Sequence, residues 1–271
     1  MRRFLTYLFF LCSVLPAGAG SKLEVMDTRG DMLGWEAVGR IDLAGQGFCT
    51  GVLIASDQVL TAAHCLFDQK TAQPLPADQI VFRSGYLKGS ALSERRGTKL
   101  VVADGFVPGG STMDIENVKR DVAILRLEQP IFGSEADPFR IAEGGGDGSV
   151  QVMSYGRGRA EAMSWQRRCE LTREGRDLKF FDCDITFGSS GAPVFVKTGS
   201  RVRIFSLVSG TARLKDGTTI GVGMDLPNVV SDLRAKLRNG DAPTAKVSTG
   251  ARRIKIGGGK SGSGAKFVRA N

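Results

Sequence analysis

The chain has 271 residues, 42% of them hydrophobic, which is ordinary globular material able to bury one large domain or two small ones. Its net charge of +9 raises the question of a nucleic-acid or membrane partner, but the surplus lies at the ends. Between Asn239 and Asn271, Lys246, Arg252, Arg253, Lys255, Lys260, Lys266 and Arg269 face a single Asp241, and Arg2 and Arg3 open the chain, so a nearly neutral body leaves a nucleic-acid enzyme no basic domain to stand on.

The first segment reads as a secretory signal peptide over residues 1–19: Arg2 and Arg3, an apolar run from Phe4 to Pro16, then the small residues Ala17-Gly18-Ala19. That run is short for a bilayer span, and no other apolar stretch approaches membrane length. The expected location is therefore secreted or periplasmic. Removing the segment takes Cys12 with it and leaves Cys49, Cys65, Cys169 and Cys183, an even set that suggests two disulfides in an exported protein. Three pairings are open, and the gaps favour Cys49 with Cys65 and Cys169 with Cys183. Each loop would stabilise the fold by about 3 kcal/mol in the chain-entropy account. Zinc is disfavoured, because no pair has the C-x2-C spacing and the chain has one histidine.

Short β-branched and apolar segments separated by Gly, Asp, Pro and Ser then predict an all-β barrel or sandwich protein. The first set is Ala37 to Leu43, Phe48 to Ile54, Gln58 to Leu60, Ile80 to Arg83, Lys99 to Val102 and Val122 to Leu127. Glu128 to Gly148, with its prolines and Gly144-Gly145-Gly146, marks a crossing between halves. The second set is Val150 to Tyr155, Ser164 to Leu171, Ala192 to Val196, Val202 to Val208 and Thr219 to Met224. A helix over 228–238 follows, with Val229, Val230, Leu233 and Leu237 on one face, Asn228 as its expected cap and Gly240 as its stop. Residues 239–271 are Gly/Ser/Lys-rich without periodicity and read as a disordered tail.

Chemistry concentrates in three segments: Thr61-Ala62-Ala63-His64-Cys65, Arg120-Asp121-Val122-Ala123-Ile124-Leu125 and Gly188-Ser189-Ser190-Gly191-Ala192-Pro193. Any imidazole chemistry must use His64. A serine hydroxyl is a poor nucleophile until an imidazole takes its proton, and the imidazolium formed needs a fixed carboxylate. His64, Asp121 and Ser190 supply those three groups.

These motifs, in this order, resemble those of the trypsin/chymotrypsin-like serine proteases, here of a secreted bacterial type, over roughly Trp35 to Leu237. The resemblance implies two six-stranded antiparallel β-barrels with the site in the cleft between them, and a closing C-terminal helix. The corresponding domain runs over 30–238, with an N-terminal barrel at about 35–130, a second at about 148–227 and the helix at 228–238. It implies a serine endopeptidase in which His64 is the general base, Asp121 its orienting carboxylate and Ser190 the nucleophile, passing through an acyl-enzyme. The backbone N–H groups of Gly188 and Ser190 would form the oxyanion hole, where one donor is worth about 10²–10³ in rate. A catalytically silent binding protein on the same barrels is the alternative, although its usual mark, a missing triad member, is not found. An α/β-hydrolase is opposed by the lack of any histidine after Ser190 and by Ala192, which breaks Gly-x-Ser-x-Gly.

Departures from the family pattern carry their own expectations. Ser189 stands where many members have aspartate, and no Ile-Val-Gly-Gly start is present, so neither partner of the familiar zymogen salt bridge exists. Activity without that switch is expected, with the oxyanion loop held by uncharged hydrogen bonds. Asp184, six residues before Ser190, is either a pocket carboxylate selecting Arg or Lys or a hydrogen-bonded loop residue. A glutamate pocket built on a second histidine is excluded by the histidine count. Ser209 and Gly210 resemble the strand that binds substrate backbone, and Gly221 a pocket wall. Glycines in strands equally mark bulges or close packing. The expected partners are protein or peptide substrates of a monomer, with no cofactor and no metal. The basic tail either makes weak contact with an anionic surface or is a dispensable solvated end.

Overall fold

A computed structural model describes residues 21–109, 114–145, 148–175 and 177–240. The signal segment and nearly all of the basic tail lie outside them. Along the first half run β1 (Leu23–Val25), β2 (Val38–Leu43), β3 (Phe48–Ala55), β4 (Gln58–Thr61), β5 (Ile80–Ser84), β6 (Ser93–Val102), the short helix α1 (Ile115–Lys119) and β7 (Ala123–Leu127). The second half contains β8 (Ser149–Gly156), β9 (Arg159–Gly175), β10 (Leu178–Phe181), β11 (Pro193–Thr198), β12 (Arg201–Leu207), β13 (Gly210–Arg213), β14 (Thr219–Met224) and the helix α2 (Pro227–Asn239).

Six strands close the first barrel in the order β2-β3-β4-β7-β6-β5, all antiparallel. Closure removes the sheet edges, and the inward residues of alternate positions fill the interior. Ile41, Leu53, Val59, Ile80, Phe82 and Leu125 are all fully buried there. Bulges or irregularities, among them those at Leu53–Ala55 and Gly97–Lys99 and in the second half at Val194–Phe195, bend strands that would otherwise stay flat.

The second half is an eight-stranded sheet with the path β12-β11-β8-β9-β10-β14-β13 and β1 added against β9. The trypsin-like architecture is the expected one, but this half curls without closing its hydrogen-bond ladder. Its seam is made by contact: the Ser206 hydroxyl donates to the Met224 carbonyl at 2.7 Å. A Cβ at Gly223 would overlap the Leu207 carbonyl, so only glycine lets β14 approach β12 this closely.

One core joins the halves, with Val38, Val52 and Leu60 of the barrel packed with Met153, Tyr155, Phe195 and Ile204 of the sheet. Trp35 stacks against Phe139, Trp165 and Phe195 at ring distances of 5.7, 5.0 and 5.4 Å, which pins the crossing segment to both. The helix α2 covers the same core with Val230, Leu233 and Leu237, each burial worth about 2 kcal/mol. Gly240 stops it in a left-handed conformation, φ 80°. Asn228 does not cap it: the helix starts one residue earlier, with Leu226 at the cap position without a side-chain bond and Pro227 as the first helical residue, where a missing N–H leaves no donor unsatisfied.

Candidate active site

The local fold fixes His64 before any catalytic role is considered. The strand β4 ends at Thr61, and a single 3-10 turn over Ala63–Leu66 swings the imidazole toward the junction of the halves. Cys65 is bonded to Cys49 on β3, so the residue after the imidazole is tied covalently to the barrel wall. The second bridge joins Cys169 to Cys183, beside the loop that leads to Ser190. Cys49, His64 and Cys65 bring three metal-ligand atoms close together, but both sulfurs are spent in the disulfide and offer no thiolate.

Asp121, at the entry to β7, is buried with 5% side-chain exposure, while His64 keeps 21%. One carboxylate oxygen accepts from the His64 backbone N–H at 2.8 Å and the other lies 2.7 Å from Nδ1. A carboxylate only accepts, so Nδ1 carries the proton and Nε2 is left as the basic nitrogen. Burial pulls the imidazole pKa down, but the charge and hydrogen bond of Asp121 together outweigh it, leaving the group above the ordinary histidine value of 6.5.

Ser209 completes the carboxylate's coordination. Its buried hydroxyl donates to Asp121 Oδ2 at 2.6 Å, a contact of the side chain that leaves the expected role of this strand's backbone in substrate binding untouched. Gly210, next in sequence, borders open space: a Cβ there would meet nothing within 4 Å.

The turn carrying Ser190 is held against the barrel from several sides. Gly191 has φ +75°, and a Cβ there would overlap Thr61 Oγ1 and Thr50 O and lie 2.8 Å from Ala62 N. The Ser190–Gly191 backbone therefore rests on the segment that runs directly into His64. The Ser190 carbonyl accepts from Thr50 N–H at 2.9 Å, and Thr50 adjoins the disulfide partner of Cys65. Within 188–192, the amides of Ser189, Gly191 and Ala192 donate to Thr186, Val208 and Ser189 carbonyls. Those of Gly188 and Ser190 donate to no backbone carbonyl among the described residues. Gly188 needs its missing side chain, because at φ +88° a Cβ would overlap the Phe48 ring.

Two supporting residues escaped the sequence reading. Thr50 is fully buried and uses every polar atom: besides the bond to Ser190, its hydroxyl donates to Gly188 O at 2.8 Å and accepts from Tyr155 N–H at 3.0 Å, and its carbonyl accepts from Thr61 Oγ1 at 2.9 Å. Arg159 sends Nη1 to the carbonyl and hydroxyl of Ser154, at 2.7 and 3.1 Å, and Nη2 to the Ser189 hydroxyl at 3.3 Å. Ser189, wholly buried, also lies 3.2 Å from Ser154 Oγ. The expectation of purely uncharged bonds under this loop is thus corrected: a guanidinium takes part. Threonine in a strand and arginine after a glycine turn are common, so neither announces itself without the fold.

Asp184 is exposed, and its N–H donates to Gln166 Oε1 at 2.7 Å. Its charge acts on Arg159, whose guanidinium burial pulls below its ordinary range and Asp184 pushes back. Gly221, expected as a pocket wall, is closely packed: a Cβ would overlap the Phe181 ring of β10 and lie 3.1 Å from Ile185 Cγ1.

Comparison with known proteins agrees with this geometry. The profile described as a trypsin-like peptidase domain matches residues 49–202. Serine protease 23 of Bos taurus is 30% identical over 176 residues, covering 56% of this chain and 44% of that protein. A modular serine protease of Drosophila melanogaster is 34% identical over 88 residues, 30% of this chain and 13% of its own length. The chain thus spans less than half the length of these curated relatives. Among solved structures, a Glu endopeptidase in complex with MPD superposes with a TM-score of 0.64 at 18% identity, over 82% of this chain and 98% of that one. A thermostable serine protease, AL20, from an extremophilic microorganism gives 0.59 at 19%, over 76% and 98%. With more than half its length matched by one profile and the same architecture in those structures, the chain belongs to the trypsin-like peptidase domain family.

Proposed function

We propose that the protein is a serine endopeptidase that hydrolyses peptide bonds through an acyl-enzyme. In this reading His64 Nε2 takes the Ser190 proton as Oγ attacks the scissile carbonyl, and returns it to the leaving amine; Asp121 steadies the imidazolium, and the Gly188 and Ser190 amides receive the oxyanion. The observation that carries the proposal is the seating of the Ser190–Gly191 backbone on Thr61–Ala62, beside a histidine whose other nitrogen is held 2.7 Å from a buried carboxylate. Labelling by a fluorophosphonate tests it: the wild type is labelled, and Ser190→Ala and His64→Ala are not. Labelling that survives both substitutions would dismiss the reading.

The proposed selectivity for Arg or Lys at the cleavage site rests on Asp184, the exposed carboxylate on the loop into Ser190. A peptide-library profile decides it: loss of a basic preference in Asp184→Ala supports the assignment, and an unchanged profile removes it. The catalytic domain is taken to occupy 30–238. Export by the segment 1–19 is supported by the two disulfides, which persist in oxidising compartments. Among the described residues no helix is long and apolar enough to cross a membrane.

A further inference from the structure

Away from the cleft, α2, β12 and the crossing segment enclose a recess of about 600 Å³ lined by Arg140, Arg203, Arg234 and Arg238, with Glu143 the one carboxylate among its lining residues. Topology forces the four together. Ile141 and Ile204 form a parallel bridge, in which the Ile204 N–H donates to Arg140 O at 2.9 Å and the Ala142 N–H to Ile204 O at 2.8 Å. Arg140 and Arg203 each precede the bridged pair, so they sit side by side and opposite to Ile204, which is buried in the core. On α2, Arg234 and Arg238 are four residues apart and share a face.

The guanidinium groups are not consumed by the fold. Arg234 donates once, to the Ile54 carbonyl at 2.8 Å, which anchors it and leaves most of its five donors for the recess. The side chains of Arg140, Arg203 and Arg238 have no hydrogen bond or ion pair among the described residues. Burial, and then the charge of Arg238, hold the Arg234 guanidinium below its ordinary range. Arg140 and Arg238 are exposed and Arg203 and Arg234 half-buried, so the four cations are open to a solute, and planar guanidinium forks match tetrahedral oxyanions bidentately.

We propose that this recess is a binding site for a compact, multiply charged oxyanion bearing phosphate groups, separate from the peptidase site. A single inorganic phosphate leaves cations unanswered; a condensed phosphate such as tripolyphosphate, with about four charges near neutrality, answers the four guanidinium groups. The same chemistry would be offered by a phospholipid headgroup, and the test separates the two sources.

The test is calorimetric titration of the full chain, using tripolyphosphate, inorganic phosphate and phosphatidylglycerol vesicles as probes. Tripolyphosphate is expected to bind one to one and at least tenfold more tightly than inorganic phosphate, with affinity falling as salt rises. Arg203→Ala is expected to weaken it about tenfold and R203A/R238A about a hundredfold, since charge-assisted bonds to phosphate are of that strength. The charge-matched control K70A/K215A, both exposed and neither lining the recess, should bind as wild type does. Vesicle binding that is lost in R203A/R238A, in place of tripolyphosphate binding, would keep the site and identify the headgroup as its source. Equal affinity in wild type and R203A/R238A, or an equal loss in K70A/K215A, would overturn the proposal, because general charge or the basic tail would then be the binder. Circular dichroism and melting temperature in each variant distinguish a lost site from a lost fold. None of these readouts uses peptidase activity.

Discussion

The Thr50 hydroxyl, on a strand of the closed barrel, donates to the Gly188 carbonyl at 2.8 Å across the junction of the halves. That bond holds the carbonyl that lies between the Gly188 and Ser190 amides, the pair proposed to receive the oxyanion. Because Thr50 also accepts from Tyr155 N–H, replacing it with valine keeps the volume and strands two buried polar groups. Thr50→Val should cost about 1–3 kcal/mol in denaturant unfolding. It should also lower kcat about tenfold with KM little changed, as expected when an oxyanion donor is misplaced by less than it takes to lose it. Serine at the same position should restore both, since it keeps the hydroxyl.

The imidazole sets the acid limb of the pH profile. A base must be neutral, so kcat/KM should rise as His64 loses its proton, with a single midpoint above 6.5. Asp121→Asn removes the charge that raises it, so the midpoint should fall while activity drops about 10⁴-fold. The sign for stability is opposite. The unfolded chain releases this proton near 6.5 and the folded one higher, so the folded state holds the extra proton between the two and its stabilisation is complete below 6.5. Stability should fall as pH rises through that window, and the slope should vanish in His64→Gln, measured by urea unfolding at a series of pH values.

Gly191 is sterically bound to its place. Alanine there would overlap Thr61 Oγ1 and Thr50 O and force a side chain to φ +75°. Gly191→Ala should destabilise by about 2–4 kcal/mol in denaturant unfolding. Gly210→Ala, where nothing lies within 4 Å, should leave stability within about 0.5 kcal/mol of wild type.

The Cys49–Cys65 bridge closes a loop of sequence separation 16 around the histidine. Opening it with C49A/C65A should cost about 3 kcal/mol and lower kcat, since the residue next to His64 loses its tie to the barrel. C169A/C183A should cost similar stability, read in the same unfolding assay.

How far these features could be read from the residues depended on their range. Strands such as β14 (Thr219–Met224) coincide with their apolar runs, because alternation reports local burial. The strand β13 (Gly210–Arg213) was missed: it has no apolar pattern and exists only by pairing with β14. The strand β9 extends from Arg159 to Gly175, well beyond the Ser164 to Leu171 run, because its charged ends pair with β8 and β10. His64, Asp121 and Ser190 stood out through motifs, whereas Thr50, Arg159 and the Ser209 bond to Asp121 depend on contacts over long sequence separations, 138 residues for Thr50 and Gly188. No local pattern encodes those.

The most direct measurement is a double-mutant cycle in kcat/KM on a peptide substrate with Ser190→Ala, His64→Ala and the pair. If hydroxyl and imidazole act as one unit, each single change lowers turnover about 10⁴–10⁶-fold and the double variant falls no further. Singles that keep near-wild-type turnover, or losses that multiply in the double variant, would contradict it.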